Sequence, residues 1–374
     1  MAPSILIVKL SSMGDVIHTL PAAAAIRRAL PRAKIGWAIE RAHADLVRDH
    51  PMIDHVIEWD RGSARGLLEF VRQIRRHHWD VAIDFQGLLR SGVVAFLSGA
   101  RRRIGYRPTG ERAHWFYTER IPRVTMDRHA VERNLALAAR LEGVSIDEPL
   151  DRPYLRGAAP AAGLSSPSRF PVHLGDEEQL AVDAWLARQG FDRETHRLVA
   201  FCPDCRKEAN RWLAERFAEL ARRLTQRPEI RVVICGGPAS RDVCAAAASE
   251  SDANRVWRAD GQFGLRASMA LLSRASVAVT GDTGPMHMAV AVGVRVVALF
   301  GPANPLRTGP YAEDAIVLRQ TLDCAPCFAR RCPLKYDPPR CMAELSVDAV
   351  EAAVLRQIGQ ASDPRGAPRR RRSA

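Results

Sequence analysis

The stretch Ser4-Ile-Leu-Ile-Val-Lys-Leu-Ser-Ser-Met-Gly-Asp15 contains an apolar run that leads into a loop of small and polar residues. A short apolar run bounded in this way is typical of a strand buried on both faces of a parallel sheet. A helical pattern follows over residues 15–30, with Pro21 as a candidate kink, and Lys34–Glu40 is the next predicted strand. Because a strand, a helix and a strand in this order form a βαβ unit, the stretch predicts an α/β fold.

The same alternation continues along the chain and is interrupted once. Further apolar runs predict strands at residues 56–59, 81–85, 198–201, 232–235, 277–280 and 296–300. Residues 156–178 are rich in Gly, Pro, Ala and Ser, which is the composition of a linker. We therefore predict two doubly wound, Rossmann-like domains facing across a cleft, with boundaries at 1–165, a linker at 166–178, a second domain at 179–345, a C-terminal helix at 346–360 and a disordered basic tail at 361–374.

The chain of 374 residues is basic, with a formal net charge of +13 and 47% hydrophobic residues. Residues 361–374 contribute five Arg and one Asp, so most of the excess charge belongs to the body. A basic body favours an anionic partner: nucleic acid, a membrane surface or a phosphorylated substrate. Nucleic acid ranks last, because the basic residues of the body alternate with Asp and Glu. Neither a secretory signal nor an apolar stretch of about 20 residues is found, so we expect a soluble, cytoplasmic protein.

The loop after the first strand carries a candidate catalytic group. Ligands of such sheets bind beyond the carboxyl ends of the strands, which is where this loop lies. Gly14 allows a tight turn, and Asp15 falls in the first turn of the following helix. Asp15 is either a helix N-cap or a general base that takes a proton from a bound hydroxyl. His18, one turn further on, either orients a ligand or packs in the interior.

A second candidate loop follows the strand predicted at 277–280 and reads Gly281-Asp-Thr-Gly-Pro-Met-His287. Its small residues, with Pro285 near the helix start, leave open N–H groups that favour a phosphate. The alternative is an ordinary connection between a strand and a helix. His287 lies one turn inside and is placed to contact the same anion, whereas Asp282 is expected to accept hydrogen bonds from the loop backbone.

Two further loops follow predicted strands of the same half, Gly236-Gly-Pro-Ala-Ser240 and Gly301-Pro-Ala-Asn-Pro305. Together with the loop at 281–287 they form a candidate cradle for a nucleotide. Neither a G-x-G-x-x-G motif after a strand nor a P-loop motif occurs, which disfavours a dinucleotide site and a P-loop site.

Arginines and aromatic residues are concentrated in the first half, where they form a candidate surface for an acidic acceptor. The arginines are Arg72, Arg75, Arg76, Arg90, Arg101, Arg102, Arg103, Arg107 and Arg112. The aromatic residues among them are Trp79, Phe85, Tyr106 and Trp115.

These motifs resemble glycosyltransferase family 9, the bacterial lipopolysaccharide heptosyltransferases, and the heptosyltransferase I type in particular. Lys9-Leu-Ser-Ser-Met-Gly-Asp-Val-Ile-His-Thr-Leu-Pro21 is similar to the N-terminal signature of that family. Five later motifs agree in order and spacing: Asp84-Phe-Gln-Gly-Leu-Leu-Arg90, Ile104-Gly-Tyr106, His129-Ala-Val-Glu-Arg133-Asn, the loop at 281–287 and Phe300-Gly-Pro302. The resemblance extends over roughly residues 4 to 355.

The resemblance implies a GT-B fold and a metal-independent, inverting transfer that needs no cofactor beyond its donor. The implied donor is ADP-L-glycero-β-D-manno-heptose. The implied acceptor is Kdo-bearing lipid A or a core that already carries heptose, met at the cytoplasmic face of the inner membrane. A nucleotide-sugar epimerase, or a family 9 transferase that uses another sugar, remains an alternative.

The resemblance also assigns roles to residues. Asp15 matches the catalytic base of the family. The donor-binding positions are Asn210, Arg211, Gly236, Gly237, Asp282, Thr283, Gly284, Pro285, His287 and Gly301. The acceptor-binding positions are Ser12, Met13, Gly14, His18, Gln86, Arg90 and Arg133.

Two positions depart from the family pattern. Asn210 stands where the family often has a donor-binding Lys, so Lys207, Arg206 or Arg211 compensates, or the donor contact differs. Ser240 stands where the family has an acidic residue that contacts the nucleoside, which leaves the donor base open.

The chain has eight cysteines, and four of them follow the spacing C-x₂-C-x₄-C-x₈-C at Cys324, Cys327, Cys332 and Cys341. This spacing is compatible with a structural zinc, with an iron–sulfur cluster or with four free thiols. Cys202 and Cys205 form a second C-x₂-C pair, which we do not expect to be a ligand set.

Overall fold

The computed structural model describes residues 2–109, 111–122, 128–144, 170–249 and 251–361. Within them the strands form two six-stranded sheets, and every strand pair is parallel. The N-terminal domain contains β1 (Ser4–Val8), α1 (Met13–Ile17), α2 (Leu20–Ala29), β2 (Lys34–Glu40), β3 (His55–Trp59), α3 (Ala64–Arg76), β4 (Val81–Asp84), α4 (Leu89–Leu97), β5 (Arg102–Arg107), β6 (Glu119–Pro122) and α5 (Ala130–Ala138).

The C-terminal domain repeats this architecture. Its elements are α6 (Asp176–Arg188), β7 (Arg197–Cys202), α7 (Ala214–Leu224), β8 (Ile230–Ile234), α8 (Arg241–Ala247), β9 (Val256–Arg258), α9 (Leu265–Ser273), β10 (Val277–Gly281), α10 (Gly284–Ala291), β11 (Arg295–Phe300), α11 (Pro305–Thr308), β12 (Ile316–Arg319), α12 (Arg340–Ala343) and α13 (Val347–Ala361).

The strand orders show that both sheets are doubly wound. The first sheet runs β3-β2-β1-β4-β5-β6, and the second, read from its other edge, runs β9-β8-β7-β10-β11-β12. In each sheet the order therefore reverses between the first and the fourth strand, which are β1 and β4 in one domain and β7 and β10 in the other. The carboxyl ends of strands at such a switch point form the ligand crevice of this class of fold.

Burial explains why the central strands were predictable. Residues 5–8 of β1 and 296–300 of β11 are fully buried, because helices cover both faces of each sheet. The predicted central strands and the α/β fold are confirmed. Four short or outer strands, β5, β6, β9 and β12, were not predicted, and two of them, β5 and β12, end in exposed arginines.

Three boundaries differ from the prediction. The single helix expected at residues 15–30 is two helices, α1 and α2, separated at His18 and Thr19. Helix α6 begins at Asp176, inside the range predicted as linker, and the C-terminal helix occupies Val347–Ala361. The rest of the predicted linker up to residue 169, and the tail from residue 362, lie outside the described residues.

Among the described residues, no helix combines the length and the apolar composition that crossing a bilayer requires.

Candidate active site

The loop after β1 is held in place by two side chains from the neighbouring strand end and helix. The Gln86 Oε1 accepts hydrogen bonds from the N–H groups of Leu10 (2.8 Å) and Ser11 (3.3 Å). Arg90 Nη2 donates to the Ser11 Oγ over 2.7 Å, and its Nη1 pairs with Glu40 over 3.3 Å. Both residues were predicted to bind the acceptor, and the structure shows them positioning the loop at the switch point.

Asp15 is the third residue of α1, and Ser12 precedes that helix. The carboxylate Oδ2 accepts hydrogen bonds from Ser12 Oγ (2.8 Å) and Ser12 N (3.2 Å). The interpretation of Asp15 as the N-cap is therefore wrong, because Ser12 occupies the cap position and Asp15 bonds back to it.

The surroundings of Asp15 favour its charged form. The surrounding protein partly desolvates the carboxyl and so raises its pKa, but Lys9 and the two hydrogen bonds from Ser12 outweigh this and hold the pKa below its usual value. Lys9 Nζ lies 3.7 Å from Asp15 Oδ1, and 49% of the Asp15 side chain remains exposed. An ionised, accessible carboxylate at a cleft is suited to accept a proton.

Helix α1 packs directly against α10 of the other domain. A Cβ at Gly14 would overlap the ring of His287, and a Cβ at Gly284 would lie 2.5 Å from the Met13 Sδ. Glycine is needed at position 14 because the buried His287 ring occupies the space of a side chain, whereas a side chain at position 284 would displace the flexible end of Met13. This close packing brings Asp15 next to the loop at 281–287, although the two are far apart in sequence.

The loop before α10 leaves the helix start open. Thr283 precedes the helix with an extended backbone, and its hydroxyl makes no capping bond, while Pro285 is the second helical residue. Free N–H groups and the positive end of the helix dipole are therefore directed at the cleft, close to Asp15.

Asp282 does not bond the loop backbone as predicted. Its Oδ2 accepts a hydrogen bond from the side chain of Asn210 over 3.3 Å, and Asn210 also lies 3.4 Å from the Asp282 carbonyl. Burial raises the pKa of the Asp282 carboxyl, and Lys207 is the main charge that opposes this rise. Lys207 is thus the cation beside this loop, whereas Asn210 is 2% exposed and braces it from behind.

Three buried histidines join the domains behind the cleft. His18 Nε2 and His287 Nδ1 are 3.0 Å apart, and the His18 ring lies edge-on to His129 at 5.0 Å between centroids. His129 caps α5 by accepting from Val131 N–H, so its other nitrogen donates to the Gly309 carbonyl over 3.1 Å. His18 is 2% exposed and packs in the interior, which is one of the two roles expected from the sequence, and its contact with the acceptor stays a prediction.

Asn134 was not recognised from the sequence as part of this arrangement. Its Nδ2 donates to the His18 carbonyl (3.0 Å) and to the Thr19 Oγ1 (3.1 Å), at the break between α1 and α2. Burial lowers the pKa of His18 and of His129, and Arg133, the preceding residue of α5, lies near both rings and adds to this effect.

We expect the free energy of unfolding to fall as the pH drops from about 6.5 towards 4. Burial lowers the pKa of His129 to about 3 and of His287 to about 4, and that of His18 well below its usual value. The unfolded chain therefore binds more protons in this range, and each histidine contributes a slope approaching about 1.4 kcal/mol per pH unit. Urea unfolding of the wild type and of His129→Gln at pH 7 and pH 5 measures this change in the free energy of unfolding. The variant should lose less stability on acidification than the wild type does. An equal loss in both proteins would contradict a role for His129.

The first-half arginines do not form one surface at the cleft. Arg102 and Arg103 stand at the start of β5, away from its carboxyl end, and Arg102 pairs with Glu119 over 2.6 Å. Trp79 and Phe85 belong to the buried core. The single arginine surface predicted from sequence is therefore wrong for these residues.

Arg107 ends β5 on the cleft side of the sheet and is exposed. Arg112 lies over the ring of Trp115, with 5.1 Å from its guanidinium carbon to the ring centroid, and 60% of Trp115 is exposed. These two arginines of the predicted set are exposed near the cleft side of the sheet, where they can contact an acidic acceptor.

The second domain contributes a carboxylate that the sequence analysis missed. Asp204, two residues beyond β7, accepts a hydrogen bond from the Ser240 Oγ over 2.8 Å and lies 3.1 Å from Arg211 Nη2. Its position after a central strand was the available signal. Gly237 has open space where a Cβ would be, whereas Gly301 is packed against Cys341 and Met342.

Two facing, doubly wound domains are the architecture of the GT-B class of glycosyltransferases, and solved structures agree. The glycosyl transferase of family 9 from Veillonella parvula matches with a TM-score of 0.80 and 25% identity, over 96% of this chain and 98% of that one. The E. coli heptosyltransferase WaaC with ADP matches with a TM-score of 0.69 and 23% identity, over 95% and 99% of the two chains.

The family model described as glycosyltransferase family 9 (heptosyltransferase) matches residues 67–336, and the chain belongs to this family. Lipopolysaccharide heptosyltransferase 1 from Pseudomonas aeruginosa is 29% identical, over 92% of this chain and 95% of its own length. The core heptosyltransferase OpsX from Haemophilus influenzae is 24% identical, over 82% of each. The predicted resemblance, the GT-B fold and the assignment as a glycosyltransferase are confirmed.

Proposed function

We propose that the protein transfers a heptose from ADP-heptose to the inner core of lipopolysaccharide. The names of the similar proteins support the sugar and the acceptor pathway, since they include lipopolysaccharide heptosyltransferase 1 and a core heptosyltransferase. The observation that carries the proposal is the juxtaposition of the Asp15 carboxylate with the open start of α10. One group accepts a proton and the other binds an anion, as transfer from a sugar diphosphate requires.

The transfer is a single displacement. Asp15 removes the proton from the acceptor hydroxyl, whose oxygen forms a bond to the anomeric carbon of the donor while the bond from that carbon to the diphosphate oxygen breaks. The leaving diphosphate receives hydrogen bonds from the N–H groups at Thr283 and Gly284 and a charge contact from Lys207. Because attack and departure occur on opposite faces, the configuration of the sugar is inverted.

Asn210 is uncharged and stands where the family often has a donor-binding lysine. Lys207 supplies the positive charge in its place. Arg211 is paired with Asp204, and Arg206 lies near His43, whose pKa it lowers. Lys207 lies beside the diphosphate loop, where its charge opposes the rise that burial causes in the pKa of Asp282. With a lysine and a helix start available for the diphosphate, we propose that the transfer step needs no divalent metal ion.

Ser240 stands where the family has an acidic residue, and Asp204 takes over the role of that residue. Its carboxylate accepts hydrogen bonds from the ribose hydroxyls of the donor. We expect Asp204→Ala to weaken ADP binding by about 10- to 100-fold, because hydrogen bonds to a charged group contribute about 1.5–3 kcal/mol. Calorimetric titration should find that wild type and variant bind 2′,3′-dideoxy-ADP almost equally. If the variant weakens both nucleotides to the same degree, Asp204 serves only to hold Arg211.

The acceptor enters on the side of the N-terminal domain. Ser12 donates a hydrogen bond to the Asp15 carboxylate, and Arg133 lies near the histidines behind it. Arg107 and Arg112 supply exposed positive charge at the same end of the sheet. Such charge fits the carboxylates and phosphates of a Kdo-bearing lipid A or of a heptosylated core. The enzyme would meet this acceptor as a peripheral protein at the cytoplasmic face of the inner membrane.

A donor-dependent transfer assay tests the proposal, with Kdo-bearing and heptosylated acceptors compared side by side and EDTA present in one arm. We expect ADP-heptose to be consumed only when an acceptor is added, with one acceptor preferred and no loss in EDTA. Conversion of the donor without any acceptor would instead indicate an epimerase. Loss of transfer in EDTA that added divalent ion restores would refute the metal-independent step.

A further inference from the structure

Asp84, the last residue of β4, is fully buried and takes no part in the transfer step described above. Its Oδ1 accepts hydrogen bonds from the backbone N–H groups of Gln86 (2.8 Å) and Gly87 (3.1 Å). Gly87 has a φ of 69°, a left-handed conformation that favours glycine. Because an aspartate that accepts from the backbone two and three residues further on stabilises a turn, this oxygen fixes the turn at 85–87.

The other carboxylate oxygen of Asp84 is held by Tyr117, which follows the short helical turn Ala113–Phe116. The Tyr117 hydroxyl donates to the Asp84 Oδ2 over 2.6 Å. Burial raises the pKa of Tyr117, and Asp84 raises it further, so the phenol keeps its proton and remains a donor. A Cβ at Gly105 of β5 would overlap the Tyr117 ring, so the glycine leaves room for the phenol. These hydrogen bonds offset the cost of burying the carboxylate.

The first contact of the turn at 85–87 with the loop after β1 is made by Gln86. Its Oε1 accepts hydrogen bonds from the N–H groups of Leu10 (2.8 Å) and Ser11 (3.3 Å). A side-chain amide holds two backbone groups in place only when its own backbone is fixed, and the bond to Asp84 fixes it.

The second contact is made by the Phe85 carbonyl, which accepts a hydrogen bond from Lys9 Nζ over 3.1 Å. Lys9 is 5% exposed, and its Nζ also lies 3.7 Å from the Asp15 Oδ1. Burial raises the pKa of Asp15, and the charge of Lys9 is the strongest of the effects that lower it. The turn at 85–87 therefore positions the cation that favours the ionised form of Asp15.

We propose that Asp84 is a positioning residue for Asp15 and acts through the turn at 85–87. The inference rests on the proposed role of Asp15 as the proton acceptor. Asp84 is buried away from the substrates, but it fixes a turn that holds both the backbone leading to Asp15 and the side chain of Lys9. Since a displacement of about 1 Å that originates far from the chemistry can lower a rate by about 100-fold, its effect should appear in turnover.

Transfer rates of Asp84→Ala test the proposal, with Ser98→Ala as the matched control. Ser98 is buried at the far end of α4, and its hydroxyl donates to the Ala95 carbonyl over 2.6 Å, so both variants lose a buried hydrogen bond. We expect kcat of Asp84→Ala to fall about 10- to 100-fold at an ADP affinity within about twofold of wild type, and Ser98→Ala to keep both. Asp84→Asn, whose carbonyl oxygen can still accept from Gln86 and Gly87, should recover most of the turnover. A folded Asp84→Ala with kcat within about threefold of wild type would overturn the proposal.

The dependence of kcat/KM on pH is a readout that a general loss of stability does not move. When the turn no longer holds Lys9, the pKa of Asp15 rises, so the alanine variant should lose activity at a higher pH than wild type as the solution is acidified. The other ionisable groups near Asp15 are His43, Asp282 and His287, and they stand on elements that the turn does not hold. An acid limb at the wild-type position would refute the link through Lys9.

Hydrogen exchange separates the positioning from the proposed transfer, because it needs no substrate. Gln86 holds two backbone amides, so a peptide covering residues 9–15 should exchange faster in Asp84→Ala and in Tyr117→Phe than in wild type, but not in Ser98→Ala. Tyr117→Phe keeps the aromatic ring and serves as the test if Asp84→Ala does not fold. Faster exchange in a protein that transfers no heptose would support the positioning of the loop and refute the proposed function. Unchanged exchange in the folded variants would overturn the positioning itself.

Discussion

Replacing Asp15 with asparagine is expected to lower the rate of transfer by about 10²- to 10⁴-fold, while affinity for ADP changes little. Asparagine keeps the shape of the side chain and can still accept the hydrogen bonds from Ser12, so α1 and its packing against α10 are preserved. What is lost is the ability to take a proton. Steady-state transfer rates, with ADP affinity measured by calorimetry, provide the test.

Ser12→Ala is the matched control for this prediction. It removes one of the two hydrogen bonds to Asp15 but leaves the carboxylate and Lys9 in place. We expect a loss of transfer well below that of Asp15→Asn. Turnover of Asp15→Asn close to wild type would remove Asp15 from the chemistry and leave it only its hydrogen bonds to Ser12, the residue that caps α1.

Replacing Lys207 with alanine is expected to raise the donor KM by about 10- to 100-fold and to lower kcat as well. A charge-assisted hydrogen bond contributes about 1.5–3 kcal/mol, and its contribution grows as the diphosphate departs. Lys207 is the cation beside Asp282 at the diphosphate loop, so its removal leaves the leaving group with fewer positive partners. Initial rates over a range of donor concentrations give both constants.

Arg206→Ala is the control for Lys207→Ala, since the two residues are adjacent and Arg206 lies towards His43. We expect this substitution to change the donor KM by less than about threefold, as for a solvent-exposed charge. A larger effect for Arg206 than for Lys207 would mean that the neighbouring arginine supplies the donor contact. The pair of variants thus tests which residue compensates for Asn210.

The sequence allowed the centre of each sheet to be predicted but not its outer parts. Strands such as β1 and β11 are buried on both faces and read as continuous apolar runs. Strand β5 begins Arg102-Arg103 and ends in Arg107, and β9 has three residues, so neither produces an apolar run. The break between α1 and α2 depends on Asn134, a residue more than 100 positions away, and no local pattern records it.

The candidate site was predictable where position along a strand decides it. Asp15 and the loop at 281–287 both follow central strands, and the rule for parallel sheets places such loops at the cleft. Whether an individual side chain faces the cleft or is buried depends on partners from other segments of the chain. The sequence left His18 open between orienting a ligand and packing, and the rings of His129 and His287, which come from segments far away in the sequence, lie against it.

The close fit of α1 to α10 restricts how the two halves can evolve. Gly14 leaves room for His287 of the opposite domain, and Gly284 leaves room for Met13, so residues of each half fit against a glycine of the other. A hybrid made by recombining one domain with that of a distant relative would meet a steric mismatch at this seam if the incoming domain carries a larger residue at the position of Gly14. Successful chimeras should be those that exchange both glycines together with their partners.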